Sequence, residues 1–319
     1  MVQLKWLLVD LGRVKLKDVF YQKLVEIIDA TKVKTNEPLR ERTTLHIGGN
    51  ADYFVLPTKT EEIQKLILLC RNEKMPYFIM GNGSNVLVSD LGYRGLIIYL
   101  NEQYGKVDID KDGFVTAQSG VLLSKLSKSI AAKDYTGFEF AEGIPGTLGG
   151  AVTMNAGAYG GEIKDCIVYA KVIDIDGNII KINKEELLLG YRRSVLQDKK
   201  YILLEAGFQF NKGNPGEINK RMLELRKARR EKQPLEKFSA GSAFKRPVGY
   251  YAGKLISDSG LRGYQIGDIE VSCKHCGFVI NNGNGTAKDF LAMLKYIIKT
   301  VEDKYDVTLE PEIRLLGDI

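Results

Sequence analysis

The stretch Met80-Gly81-Asn82-Gly83-Ser84-Asn85-Val86-Leu87-Val88 is the first of two glycine-rich loops that decide the fold of this chain. The second runs from Gly143-Ile144-Pro145-Gly146-Thr147-Leu148-Gly149-Gly150 to Asn155-Ala156-Gly157. Glycine permits positive φ angles and a close approach of the backbone, so successive N–H groups can converge on phosphate oxygens. Each loop adjoins strand-like sequence, Tyr77-Phe78-Ile79 and Ala151-Val152-Thr153. The pair therefore predicts two walls around one long anionic dinucleotide.

The loops differ from the common nucleotide-binding motifs. A Rossmann fingerprint needs a glycine where Val86 stands and then a helix, whereas Val86-Leu87-Val88 continues as a strand. A Walker loop ends in Gly-Lys-Ser/Thr, which neither loop contains. Because the two histidines, His46 and His275, lie in glycine-flanked segments, a Ser-His-Asp hydrolase is not expected either.

Composition and charge are those of a globular protein with phosphate-bearing ligands. The 319 residues suffice for about two or three domains, and 44% hydrophobic with 27% charged residues is ordinary. A net charge of +6 suits phosphates and is too small to demand nucleic acid. The apolar run from Trp6 to Val9 is too short for a signal peptide or membrane span. We expect a cytoplasmic monomer without a membrane or nucleic-acid partner.

The cysteine spacing does not indicate a metal site. Cys273 and Cys276 have the spacing of half a zinc site, but Cys70 and Cys166 do not supply a matching second pair. We therefore expect reduced thiols and no metal.

Hydrophobic periodicity predicts an α+β chain in several small lobes. Predicted helices cover 18–31, a segment capped by Thr60, 122–133, a basic segment after Asn214, and 287–305. Predicted strands cover 53–56, 77–80, 96–100, 107–109, 114–117, 168–175, 179–182, 201–210 and the tail 307–317, which is interrupted at Pro311. Asp176-Gly177-Asn178 predicts a hairpin turn.

Three short segments outside the loops combine turns with reactive side chains. Gly190-Tyr191-Arg192-Arg193-Ser194 offers a guanidinium that can clamp a carboxylate. The segment 239–247 sets Ser242 near two cations, and the tail sets Glu312 near Arg314. Each segment alone also fits an ordinary surface or turn role, so none establishes a function by itself.

In order and spacing, seven segments over about residues 37–317 resemble UDP-N-acetylenolpyruvoylglucosamine reductases. They are Thr43–Gly49, Gly81–Asn85, Gly143–Asn155, Tyr191-Arg192, Gly241–Pro247, Lys274-His275 and Leu309–Gly317. The segment Tyr250–Ile256 is similar to the shorter, type II branch of that family. Cys273 and Cys276 stand where small residues are usual, which leaves the pair between them in register.

The resemblance implies a three-domain flavoenzyme with a vanillyl-alcohol-oxidase-like (PCMH-type) FAD-binding fold. It divides the chain into an N-terminal extension with a helix (1–36), two FAD-binding subdomains (37–100 and 101–212), a substrate-binding domain (213–305) and a C-terminal strand carrying the catalytic glutamate (306–319). FAD is expected to bind non-covalently between the first two domains. The residues implied around it are Gly81, Asn82, Gly83, Ser84, Asn85, Gly143, Ile144, Pro145, Gly146, Thr147, Gly149, Gly150 and Asn155.

The resemblance also implies a reaction. NADPH reduces the flavin, leaves, and is replaced by UDP-N-acetylglucosamine enolpyruvate, which is reduced to UDP-N-acetylmuramate for peptidoglycan precursor synthesis. Hydride passes from flavin N5 to C3, and the resulting enolate needs its charge stabilised. Arg192 with Glu312 corresponds to the pair that polarises the substrate carboxylate, and Ser242 to the proton donor to C2. We expect the surroundings of Glu312 to raise its pKa.

Further cations are candidate ligands of the sugar nucleotide. These are Lys245, Arg246 and Lys274 with Tyr191 in support, while Arg229 and Arg314 are candidates for contact with flavin or substrate. Three other functions remain open: another FAD oxidoreductase of this fold that oxidises a hydroxy acid or alcohol, a flavin- or nucleotide-binding module without catalysis, and a phosphate-binding structural protein without flavin. The set Arg192, Ser242 and Glu312 favours the reductase over the first two.

Overall fold

The structure, a computed structural model, describes residues 19–318. Helix α1 is described over residues 19–27, and a separate 3₁₀ turn follows at Ala30–Lys32. The predicted helix 18–31 therefore ends early, because the Asp29 carboxylate accepts the Thr31 N–H at 2.8 Å and starts the new turn. Residue 18 and the N-terminal residues before it lie outside the described part.

The first unit is a four-stranded sheet with strand order β1-β2-β5-β3. Its elements are β1 (Val33–Pro38), β2 (Asn50–Val55), α2 (Thr60–Asn72), β3 (Tyr77–Met80), β4 (Val86–Val88) and β5 (Tyr93–Tyr99). Strands β2 and β3 both run parallel to β5, which confirms the predicted β-α-β order. Because β3 ends at Met80, the first glycine loop begins directly at the edge of this sheet.

The start of helix α2 differs from the prediction. Thr60 is the first helical residue, and Lys59 occupies the cap position. The Glu62 carboxylate accepts the N–H groups of Thr58 at 2.7 Å and of Lys59 at 3.2 Å. A glutamate in the first turn thus anchors the backbone before the helix, the task we had expected of Thr60.

The second unit is an antiparallel sheet with strand order β12-β11-β13-β7-β6. Its elements are β6 (Val107–Ile109), β7 (Phe114–Gln118), α3 (Leu123–Ala131), β8 (Tyr135–Thr136), α4 (Leu148–Thr153), β9 (Gly157–Ala158), β10 (Gly161–Glu162), α5 (Ile163–Cys166), β11 (Ile167–Ile173), β12 (Ile179–Asn183), α6 (Val195–Asp198), β13 (Ile202–Gln209) and β14 (Asn211–Lys212). The predicted hairpin is confirmed, since Ile173 pairs with Ile179 across the turn.

The prediction of a strand at Ala151-Val152-Thr153 is wrong. These residues end helix α4, in which Leu148, Ala151 and Val152 are buried. Their spacing of three and four residues places them on one helical face, whereas three apolar residues considered alone do not distinguish a helix from a strand. The second glycine loop therefore leads into a short helix.

The third unit carries another antiparallel sheet, with strand order β15-β18-β17-β16, and helix α9 lies against it. Its elements are α7 (Pro215–Lys232), β15 (Phe238–Ser242), α8 (Ala252–Asp258), β16 (Gln265–Ile266), β17 (Ile269–Val271), β18 (Phe278–Asn281), α9 (Ala287–Tyr305) and β19 (Arg314–Leu316). Strand β19 returns to the first unit and pairs in parallel with β4. Of the predicted tail strand 307–317, only Arg314–Leu316 is a strand, while Pro311 forms an isolated bridge to Phe244.

Shared apolar clusters hold the three units together. Ile98 of the first unit packs in one buried cluster with Ile173 and Leu204 of the second. Leu45 and Leu87 join the core of the third unit. Because close-packed interiors deform little, the walls of any cleft between the units are held in fixed positions. Among residues 19–318, no helix is long and apolar enough to cross a membrane.

Candidate active site

The two glycine loops face each other across a cleft of about 1560 Å³ that residues of all three units line. The Asn82 side chain donates from Nδ2 to the carbonyl oxygen of Pro145 at 3.3 Å. A Cβ on Gly81 would lie 2.2 Å from Thr147 Oγ1, so only glycine allows the loops to approach this closely. The sequence prediction that the two loops form walls of one site agrees with this arrangement.

Most of the residues predicted to surround the cofactor line the cleft: Gly81, Asn82, Gly83, Ser84, Asn85, Gly143, Ile144, Pro145, Gly146, Thr147, Gly149 and Gly150. Asn155 is not among the lining residues, and it is 1% exposed. Its Nδ2 donates to Glu162 Oε2 at 2.6 Å and to the Gly190 carbonyl at 3.1 Å. The structure therefore places Asn155 behind the wall, where it braces two loops against each other.

Arg229 presents a buried cation to the cleft. Its side chain lines the cleft with the residue only 6% exposed, and Nε donates to the Glu142 carbonyl at 3.0 Å. Nη2 has no hydrogen-bond partner among the described residues. Burial lowers the pKa of this guanidinium, with Tyr159 and Glu142 acting in the opposite direction. A buried cation with one nitrogen left without a partner, beside the second glycine loop, fits an anionic ligand such as the pyrophosphate of a dinucleotide.

Arg192 and Glu312 meet at another part of the same cleft. Arg192 Nε lies 2.5 Å from Glu312 Oε1, and the two side chains are 22% and 12% exposed. Arg192 has a left-handed φ of 56° in the tight turn that Gly190 and Arg193 close by mutual hydrogen bonds. Burial raises the pKa of Glu312, and Arg192 and Lys245 oppose that rise. The direction agrees with the expectation from the sequence.

Ser242 lies at the end of β15, beside this ion pair. The register of β15 against β18 shifts between Ser239 and Ser242, and Gly241 has a φ of 77°. Ser242 lines the main cleft and also a second cavity of about 470 Å³, and Arg192 and Glu312 line both as well. The fold thus brings together three predicted residues that are far apart in the chain.

Two of the predicted substrate cations line the second cavity. Arg246 and Lys274 line it together with Tyr191, whose hydroxyl accepts the Arg246 N–H at 3.0 Å. Lys274 Nζ lies 3.7 Å from Glu236 Oε2. Lys245 is not among the lining residues, because its ammonium group pairs with Glu310. Arg314 lines the main cleft.

Two residues of the site had no assigned role in the sequence analysis. His275 lines both cavities, its Nδ1 accepts the Gly277 N–H at 3.1 Å, and burial lowers its pKa. Tyr159 lines the main cleft, with its ring 5.2 Å from the Arg229 guanidinium carbon. An aromatic residue followed by glycine at Tyr159-Gly160 was the available signal, but the local sequence does not identify its partner.

The family models match both halves of the site. Residues 51–183 match a model described as an FAD binding domain, and these residues contain both glycine loops. Residues 233–316 match the C-terminal domain of UDP-N-acetylenolpyruvoylglucosamine reductase, and they contain Ser242 and Glu312. Fold and site therefore define an FAD-dependent oxidoreductase.

Whole-chain comparisons identify the family. The UDP-N-acetylenolpyruvoylglucosamine reductase of Lachnoclostridium phytofermentans is 49% identical over 306 residues, which cover 95% of this chain and 99% of the relative. That of Clostridium novyi is 49% identical over 297 residues, 93% of this chain and 96% of the relative. The crystal structure of the Thermus caldophilus reductase has a TM-score of 0.75 at 34% identity and covers 89% of this chain and 98% of that chain. The chain belongs to the UDP-N-acetylenolpyruvoylglucosamine reductase family.

The comparisons bear out several expectations. The α+β fold class with an FAD-binding part is confirmed, as are the resemblance and the assignment as an FAD enzyme. The exact domain boundaries and the roles of individual site residues remain predictions.

Proposed function

We propose that this chain uses NADPH and FAD to reduce UDP-N-acetylglucosamine enolpyruvate to UDP-N-acetylmuramate, a step of peptidoglycan precursor synthesis. When bound, FAD supplies the hydride chemistry between the nicotinamide and C3 of the enolpyruvyl group. The observation that carries the proposal is the convergence of Arg192, Glu312 and Ser242 on one part of the cleft. These three groups match the needs of hydride addition to an enolpyruvyl ether.

Arg192 stabilises the negative charge that develops on the substrate. Hydride addition at C3 gives an enolate conjugated with the carboxylate, and a fixed guanidinium lowers the energy of that charge most in a water-poor site. Glu312 holds the guanidinium by the 2.5 Å contact to Nε. That contact leaves the terminal nitrogens of Arg192 for the substrate carboxylate.

Ser242 donates the proton that completes the reaction at C2. A serine hydroxyl is a weak acid in water, but an enolate is a strongly basic acceptor and nearby cations stabilise the resulting alkoxide. Arg192 and Arg246 line the same cavity as Ser242 and supply that positive charge. The hydroxyl then recovers its proton from solvent, to which this residue is exposed.

The remaining cations bind phosphates. Arg246 and Lys274 face the second cavity and suit the diphosphate of the sugar nucleotide. Arg229 and the two glycine loops would hold the FAD pyrophosphate. We also propose that the protein is a monomer and that the reaction takes place in the cytoplasm.

An anaerobic absorbance experiment tests the proposal. NADPH is added to the purified flavoprotein, and the enolpyruvyl sugar nucleotide is added next. Bleaching of the flavin band followed by its recovery is the expected result. Bleaching without recovery would keep FAD and NADPH but overturn the proposed acceptor. Bleaching by a hydroxy acid or alcohol without NADPH would favour the alternative oxidoreductase.

A further inference from the structure

Asn85 belongs to the first glycine loop, yet its hydrogen bonds go to the C-terminal tail. Its Nδ2 donates to the main-chain oxygen of Glu312 at 3.1 Å. Its own carbonyl oxygen accepts the N–H of Arg314 at 3.1 Å. The next three residues continue this contact, since β4 pairs in parallel with β19. The first glycine loop and the backbone of Glu312 are therefore joined by hydrogen bonds.

The opposite side of the same tail segment rests on the Ser242 turn. The Glu312 N–H donates to the carbonyl of Ala243 at 2.9 Å, and the Lys245 N–H donates to the carbonyl of Glu310 at 2.8 Å. Asn85 thus holds one side of Glu312 while the residues after Ser242 hold the other. With its backbone fixed on both sides, the Glu312 side chain is aimed at Arg192.

Asn82 provides a comparison within the same loop. It has the same side chain as Asn85 and also lines the cleft, but it donates to the Pro145 carbonyl of the second glycine loop at 3.3 Å. Asn82 therefore connects the first glycine loop to the second. Asn85 connects the first glycine loop to the segment that carries the Glu312 carboxylate. These two asparagines, three positions apart, therefore donate hydrogen bonds to different segments of the chain.

We propose that Asn85 is a positioning residue for Glu312. It keeps the Arg192–Glu312 pair aligned with the cofactor that the glycine loops are proposed to hold. This inference rests on the proposed function, because it assigns Asn85 to the step in which substrate reoxidises the flavin. Catalytic groups act within narrow tolerances, and they depend on neighbours that fix their placement. Loss of the Asn85 side-chain bond leaves the Glu312 carbonyl without this donor and loosens the segment.

The test compares Asn85→Ala with Asn82→Ala in the FAD-loaded protein. We expect Asn85→Ala to slow flavin reoxidation by the enolpyruvyl sugar nucleotide by about 10- to 100-fold, as a small misplacement of a catalytic group does. At saturating FAD, flavin reduction by NADPH is expected to slow less than reoxidation does. Asn82→Ala is expected to weaken FAD affinity, measured by flavin fluorescence, more than it slows reoxidation at saturating FAD.

The pH profile of reoxidation separates positioning from simple loss of structure. Arg192 contacts Glu312, and the charges of Arg192 and Lys245 both favour its ionised form. A carboxylate that moves away from Arg192 while it stays buried protonates at higher pH. We therefore expect the acid limb of the profile to move to higher pH in Asn85→Ala and to stay in place in Asn82→Ala.

A different pattern would overturn the inference. Suppose that Asn85→Ala weakens FAD binding but, at saturating FAD, its flavin is reoxidised at the wild-type rate with an unshifted pH profile. Asn85 would then contribute only to FAD binding by the glycine loop. If Asn85→Ala does not fold, Asn85→Leu, which keeps the branched shape of the side chain and lacks both the donor and any charge, undergoes the same measurements with the same expected and contrary results. Failure of wild-type flavin to reoxidise would instead refute the proposed function, which distinguishes the two hypotheses.

Discussion

The cofactor end of the cleft, at the two glycine loops, and the reaction end, at Arg192, Ser242 and Glu312, use different parts of the chain. At the cofactor end, the site is formed by backbone groups of glycine-rich loops that lack bulky side chains. At Gly81, for example, a Cβ would lie 2.2 Å from Thr147 Oγ1. At the reaction end, the working groups are the side chains of Arg192, Ser242 and Glu312, which arrive from separate segments. Substitutions at the first end should change what binds, and substitutions at the second should change how fast the bound molecule reacts.

The largest expected effect breaks the reaction end alone. Ser242→Ala removes the proton donor and should slow flavin reoxidation by substrate by on the order of 10²–10⁴-fold. Flavin reduction by NADPH should remain intact, because that half-reaction needs no proton at C2. Stopped-flow absorbance of each half-reaction checks this result.

Ser239→Ala is the matched control for Ser242. Ser239 lies on the same strand and lines the same cleft, but its hydrogen bonds to Thr44 use backbone atoms that alanine retains. Reoxidation in this variant should stay close to the wild-type rate. An equal loss in both half-reactions of Ser242→Ala would contradict the proposed role.

The next effect probes the one charged side chain that we assign to the cofactor end. Arg229→Met removes a cation whose Nη2 has no partner among the described residues. A hydrogen bond to a charged group contributes about 1.5–3 kcal/mol, so FAD affinity should fall about tenfold or more. Flavin fluorescence during titration of the apoprotein measures the dissociation constant.

Arg230→Met controls for the loss of one positive charge from helix α7. Arg230 is the neighbouring residue on that helix and it is exposed. Its substitution should leave FAD affinity nearly unchanged at ordinary salt, where exposed charges are screened. Equal weakening by the two variants would mean that Arg229 contributes only to the overall field.

A smaller effect tests the close approach of the two loops. In Gly81→Ala the added methyl group collides with Thr147, and such overpacking costs about 1–3 kcal/mol. FAD affinity should fall, while the reoxidation rate of the fraction that retains FAD should change little. The double variant Gly81→Ala/Thr147→Ala removes the colliding hydroxyl and should recover part of the affinity. If the double variant recovers no affinity, the collision with Thr147 is not the cause of the weaker FAD binding in Gly81→Ala.

The same contrast explains how much of the site could be predicted from the sequence. Glycine loops and long periodic helices are local signals, and helix α9 has the predicted bounds, Ala287–Tyr305. The short apolar run after Gly150 is compatible with two structures, and only packing around helix α4 selects one. Local signals thus succeeded where the backbone itself makes the site.

Long-range pairings required more than local patterns. Arg192 and Glu312 are 120 residues apart, and only the family resemblance paired them. The direction of the Asn155 side chain depends on Glu162 and Gly190, whose positions follow from the completed fold. For Arg229 a signal was present, because it continues the buried positions of Ile218, Met222 and Leu225 on helix α7.

The smallest expected effect is a change in stability at the reaction end. The pKa of Glu312 is raised in the folded protein, so the folded state binds this proton more tightly than the unfolded state. The stability that the raised pKa contributes is present below the ordinary glutamate range and is lost as pH rises through the folded value. Glu312→Gln has no such loss, since its amide does not titrate.

The thermal midpoint of Glu312→Gln relative to wild type should therefore rise between about pH 4 and pH 7, by about 1–3 °C. Differential scanning calorimetry of the two proteins at both values measures it. Glu236→Gln is the control, because this glutamate is exposed. A relative midpoint that falls with pH would mean that the pairing with Arg192 outweighs burial, and Glu312 would then be held ionised throughout the working range.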